Sequence, residues 1–107
     1  MIKFEFEGCI NPSLEDGFTS LAIENIDIID EDDDGLQIWG IVHNENDLES
    51  FISFFLPHKD MIQYVYIEHR FEELFQDFNT SSSDDESFAI EISNDHDLES
   101  FLAIISK

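Results

Sequence analysis

Residues 44–55 read Asn-Glu-Asn-Asp-Leu-Glu-Ser-Phe-Ile-Ser-Phe-Phe, and residues 94–105 read Asn-Asp-His-Asp-Leu-Glu-Ser-Phe-Leu-Ala-Ile-Ile. The second stretch lies 50 residues after the first, and six of the twelve positions are identical, including the run Asp-Leu-Glu-Ser-Phe. Both have helical periodicity. Leu48, Phe51, Ile52 and Phe55 recur at i, i+3, i+4 and i+7, as do Leu98, Phe101, Leu102 and Ile105. That spacing sets four apolar side chains on one stripe of each helix. Asn44 and Asn94 stand at the N-cap, where a side-chain oxygen accepts a hydrogen bond from a free first-turn amide. Carboxylates fill both first turns and face the positive end of the helix dipole. Pro57 ends the first helix. Two copies are too few for a solenoid. They predict a duplicated strand–helix unit inside one domain spanning residues 1–107, with the units at roughly 20–56 and 62–107.

Upstream of each helix lies an extended segment. The first carries Leu36, Ile38, Ile41 and Val42 around Trp39; the second alternates Phe88, Ile90 and Ile92 with Ala89 and Glu91. Residues 2–7 alternate with period two and read as a half-buried strand. Residues 20–29 carry Leu21, Ile23, Ile26, Ile28 and Ile29, and the slip in phase predicts a strand with a bulge. Residues 62–68 are β-branched and aromatic, again strand-like. If Val65 and Ile67 of that strand point inward, Tyr64 and Tyr66 face outward. Residues 71–78 are readable either as a short helix, from Phe71, Leu74, Phe75 and Phe78, or as a strand. Residues 30–35 read as a polar turn between strands, with Gly35 free to adopt a positive φ. Residues 79–85 read as a polar loop. The expected fold is α+β: a mainly antiparallel sheet with two helices on one face.

The chain has 107 residues, enough for one domain. Its 26 Asp and Glu against 4 Lys and Arg give a formal net charge of -22. Such a surface lacks the basic stripe that tracks phosphates and is repelled by anionic lipid, so direct nucleic-acid and membrane partners are not expected. Disorder is not expected either, because 42% of residues are hydrophobic and eleven are Phe. Cys9 is the only cysteine, so no disulfide can form within the chain. Acidic residues interrupt the opening Met-Ile-Lys-Phe-Glu-Phe-Glu, which does not read as a signal peptide, and no apolar run is long enough to span a bilayer. The expected compartment is the cytoplasm.

Residue chemistry points away from catalysis. Asp30-Glu31-Asp32-Asp33-Asp34-Gly35 imitates the opening of an EF-hand loop, but the twelfth position, where such a loop needs a bidentate carboxylate, is Ile41. The run reads instead as a solvated hairpin tip. His43, His58, His69 and His96 have no spacing that sets two metal ligands on one face. Cys9 follows Glu7 and Gly8 in a chain whose negative charge disfavours a thiolate. No metal, no cofactor and no enzymatic activity are expected.

The charge is the residual signal. Ordinary solubility of a small domain needs a net charge of magnitude only about 2–8, and packing more carboxylates onto one surface destabilises the compact state. Two uses fit the excess: capture of a basic protein by steered association, or imitation of the phosphate array of DNA. At class level the chain resembles the small acidic immunity proteins of bacterial contact-dependent growth inhibition and polymorphic toxin systems, in its length, acidity and α+β outline. That resemblance implies a non-enzymatic inhibitor that covers the active-site cleft of a basic nuclease toxin with an acidic surface. The alternative is a DNA mimic that blocks a restriction, CRISPR or other DNA-binding protein. The expected partner-binding residues are Asp30, Glu31, Asp32, Asp33 and Asp34, with Asp84, Asp85 and Glu86 as a second patch. If the repeat pairs the two units side by side, positions 33–35 and 83–85 fall at the same end of the sheet and both runs fuse into one patch.

Overall fold

Phe4–Ile10 form the strand β1, in which every even-numbered residue is buried and every odd-numbered one half-buried. It is a central strand of the computed structural model, which describes residues 2–106 apart from the side chains of 81–83. A 3-10 turn (Pro12–Leu14) and a short helix α1 (Glu15–Thr19) follow, then β2 (Asn25–Asp32), β3 (Gly35–Val42) and α2 (Glu45–Phe55). A 3-10 segment (Leu56–Met61) leads to β4 (Ile62–Glu68), another (His69–Phe75) to β5 (Thr80–Ser83), and then come β6 (Ser87–Glu91) and α3 (Asp95–Ile105).

The six strands form one sheet in the order β2-β3-β1-β4-β6-β5, with every neighbouring pair antiparallel. This order is symmetric about the β1–β4 pair. The first half, β1-α1-β2-β3-α2, and the second, β4-turn-β5-β6-α3, fill mirrored places in it. At the centre Phe6 pairs with Val65; outside them stand Gly40 and Ile90, 50 residues apart. The halves are thus related by a pseudo-twofold axis normal to the sheet.

Helices α2 and α3 lie on the same sheet face. The Phe4 ring meets Phe51 of α2 edge-on at 5.2 Å and Phe101 of α3 at 5.0 Å. Phe6 meets Phe51 at 5.1 Å and Phe55 at 5.5 Å. Edge-to-face pairs of this kind add about 0.5–1.5 kcal/mol each beyond the area they bury. Phe6 also explains Gly40: a β-carbon there would lie 2.6 Å from the Phe6 ring. Opposite the smaller Val65 there is room for Ile90.

The expected α+β class and the two helices on one face are observed. Several details differ. The first unit begins at residue 4 rather than 20, because β1 and not the 20–29 segment is the counterpart of β4. The strand expected over 20–29 occupies Asn25–Asp32, with its bulge between Ile28 and Asp30. Residues 71–78 hold the end of a 3-10 segment, of the two readings the helical one. Thr80–Ser83, expected in a loop, form an edge strand on β6.

Candidate functional site

The helices cover one face of the sheet and leave the other open. Phe75, from the 3-10 segment after β4, stacks against Phe88 and Phe101 on the covered side, and Phe18 of α1 stacks against Phe54 there. Strand alternation then decides what the open face carries. Across β2, β3, β1, β4 and β6 one register row reads Asn25, Ile41, Glu5, Tyr66, Ala89. The next reads Asp27, Trp39, Glu7, Tyr64, Glu91. Trp39, Ile41, Tyr64 and Tyr66 are half-buried, as are Glu5, Glu7 and Glu91. In the second row aromatic and acidic side chains therefore alternate between strands set about 4.8 Å apart, and in the first Glu5 stands between Ile41 and Tyr66.

The inward condition on β4 is met: Val65 and Ile67 are fully buried, and the two tyrosines face outward. Burial first, and then the charge and hydrogen bonding of Glu7, push the Tyr66 phenol up to about 12. The phenol stays neutral at ordinary pH. Beside Tyr66, at the end of the face where Phe4 pairs with Val42, lies a cleft of about 190 Å³ lined in part by Glu5, Ile41, Tyr66, Glu68 and Glu86. Of these, Glu68 is engaged in an ion pair, Arg70 Nε to Glu68 Oε2 at 3.0 Å, and the Arg70 guanidinium carbon sits 4.6 Å from the centre of the Phe71 ring.

The acidic runs do not fuse. Leu36 pairs with Ile10 at one end of the sheet, so the turn at 33–34 lies there; Ser87 pairs with Glu68 at the other end, so the turn at 84–86 lies there. The pseudo-twofold axis reverses β6 relative to β3, which puts the two turns at opposite ends. The first run is also divided. Asp30, Glu31 and Asp32 belong to β2 and only Asp33 and Asp34 to the turn. Asp30 pairs with Gln37 and Asp32 with Gly35, in register with the open face, whereas Glu31 pairs with the core residue Leu36. Asp32 Oδ1 accepts hydrogen bonds from the amides of Asp34 (2.8 Å) and Gly35 (3.1 Å). Gly35 is fixed by its φ of +153° and by Ile10 O, 2.4 Å from where a β-carbon would stand. In the second run Asp84 Oδ1 accepts from the amides of Glu86 and Ser87, both at 2.8 Å. Those two bonds hold its carboxyl below the ordinary value of 3.8. Asp85 is exposed beside it, and Glu86 reaches the cleft.

The sequence turned Tyr64 and Tyr66 outward on condition that Val65 and Ile67 point inward, but Glu5, Glu7, Asp27 and Glu91 were not picked out. Their signal was the period-two alternation itself, which sends one residue of every core neighbour pair to the opposite face. Cys9 is a half-buried free thiol on this face. Among the described residues, no three His, Cys, Asp or Glu side chains converge as a metal site, and no helix is long and apolar enough to cross a membrane. No family model, curated protein or solved structure matches the chain.

Proposed function

We propose that this protein is an inhibitor of the immunity type, which binds a basic partner, a nuclease toxin, and blocks it with an acidic surface in the cytoplasm. The observation that carries this reading is the uncovered sheet face with its in-register alternation of carboxylates and large aromatics. Carboxylates steer a cationic partner in and set the docking register. Half-exposed Trp and Tyr supply the buried anchors on which protein interfaces depend. A DNA mimic needs a continuous anionic track, and here aromatic rings interrupt the two central rows. The surface that engages the partner is thus the open face, with Asp30, Asp32 and Glu86 at its margins, rather than the two turns alone.

The test is capture and inhibition. The tagged chain is mixed with lysate of the source organism at ~0.15 M salt, where exposed charges are screened beyond about 8 Å. The expected result is one basic protein retained in equal amount, whose nuclease activity disappears when the purified chain is added and is not inhibited by the Trp39→Ala, Tyr64→Ala double variant. Several DNA-binding proteins released together by modest salt would replace this reading with the DNA mimic. A retained protein whose activity is unaffected would end the inhibitor reading.

A further inference from the structure

We propose that the cleft beside Tyr66 is a slot for one arginine side chain of the partner, so that the partner is recognised by guanidinium and not by positive charge alone. This rests on the reading of the open face as the docking surface. Three features of the cleft choose the occupant.

The first is its walls. Ile41 and Tyr66 offer an aliphatic and an aromatic surface on either side of Glu5, all three half-buried and in the same register row. A planar, weakly hydrated guanidinium stacks on such a wall, whereas an ammonium ion keeps its water. The second is the placing of the acids. Glu5 comes from β1, Glu68 from the end of β4 and Glu86 from the β5–β6 turn, so carboxylates approach from separate elements. That arrangement matches a fork of several N–H donors better than a point charge. The third is that one of these acids already binds a guanidinium of the chain itself: Glu68 pairs with Arg70, which lies over the Phe71 ring, so Glu5 and Glu86 are the carboxylates left for a guest. The same combination of carboxylate and ring recurs inside the cleft. A volume of about 190 Å³ holds one side chain and not a strand. Lys3 also lines the cleft and opposes an incoming cation.

The experiment uses the full chain labelled with 15N, titrated at low ionic strength with N-acetyl-arginine methylamide and, separately, N-acetyl-lysine methylamide. Amide shifts should saturate and centre on Glu5, Tyr66, Glu86 and Ser87, with the arginine probe binding about two- to five-fold more tightly than the lysine probe. Glu86→Gln, a change at an exposed turn residue, should weaken the arginine probe and narrow the preference. Lys3→Gln should strengthen binding of both probes. Equal binding of the two probes would overturn the proposal, as would non-saturating shifts spread over the acidic turns, or a Glu86→Gln chain that binds unchanged. If the probes fail while the chain still captures and silences a basic nuclease, only the slot is lost. If the slot binds arginine but no basic protein is inhibited, the inhibitor reading is the one that falls.

Discussion

The two halves of the chain solve one capping problem in two ways. In the first, Asn44 Oδ1 accepts from the Asp47 amide at 2.8 Å, and Asp47 Oδ2 reaches back to the His43 amide at 3.4 Å. In the second, Asn94 Oδ1 accepts from the Asp97 amide at 2.9 Å, and Asp97 Oδ2 accepts from both the amide (3.1 Å) and the hydroxyl (2.9 Å) of Ser93. This is a variant of the capping box, written twice with Asp in place of Glu and with the amide before the N-cap residue as its donor. The surroundings differ. Asp47 is 2% exposed and also accepts from the Glu24 amide at 3.4 Å, tying the loop before β2 to the start of α2. His43 extends the tie: Nδ1 lies 3.0 Å from Asp47, though not in line for a hydrogen bond, and Nε2 lies 3.3 Å from Glu24. Asp97 is half-buried and serves its own turn. What the two halves share is what each helix needs to start. What differs is whether that start also anchors a long edge strand.

The largest test of equivalence lies in the core. Phe51 and Phe101 occupy matching places, and each meets Phe4 edge-on. Phe→Ala at either should cost about 3–5 kcal/mol, read as a shift in urea midpoint. Phe51 also touches Phe6 and Phe55, so its replacement should be the costlier of the two. A melting temperature unmoved by either change would contradict the packing of both helices on β1.

The central row is sharper still, because it breaks the symmetry by design. Phe6 beside Gly40 and Val65 beside Ile90 distribute volume in opposite senses. Gly40→Ala should cost about 1–3 kcal/mol by overpacking against the Phe6 ring, and Phe6→Leu in the same chain should restore part of that loss. Additive losses in the double variant would mean that the ring is not what excludes a side chain at 40.

The core side of this comparison was legible in the sequence. The repeat at 44–55 and 94–105, its Asn caps and the apolar stripes fixed both helices, because period and cap chemistry are local properties. The register was not. Nothing local reveals that β1 is the partner of β4, since the two share no run of identical residues and the pairing depends on the pseudo-twofold axis. Missing that axis misplaced the acidic turns at one end of the sheet. Thr80–Ser83 were unreadable as a strand for a related reason: the run Thr-Ser-Ser-Ser has no apolar residue to imprint an alternation.

The caps themselves give the next contrast. Asp47→Ala leaves the Glu24 amide without its carboxylate partner and should cost about 1–3 kcal/mol. Asp97→Ala removes a half-exposed partner and should cost about 1 kcal/mol. Hydrogen exchange separates the two further. Asp47→Ala should raise exchange in β2 as well as in α2, whereas Asp97→Ala should act on α3 alone. Equal, local effects would mean that the Asp47–Glu24 tie does not hold the edge.

The smallest effect concerns the two hairpin turns, which use one device: a single aspartate oxygen accepting the amides two and three residues on, Asp32 in the first and Asp84 in the second. The Ser87 and Glu86 amides favour the ionised form of Asp84 and hold its carboxyl below 3.8. A folded-state value below the unfolded one sets the sign. The contribution to stability is fully present above the ordinary value and is lost as pH falls through the depressed one. Asp84 is fully exposed, so the effect on global stability is small and the local readout is the useful one. Carboxyl 13C titration should give Asp84 a midpoint below 3.8, and the Glu86 and Ser87 amides should lose protection from exchange through the same transition. Asp84→Asn keeps one acceptor oxygen but removes the charge, so it should abolish that transition while leaving the turn in place. Because Glu86 belongs both to this turn and to the cleft, Asp84→Ala, which removes the turn's acceptor at neutral pH, should also weaken an arginine probe. Unchanged probe binding by that variant would separate the turn from the slot.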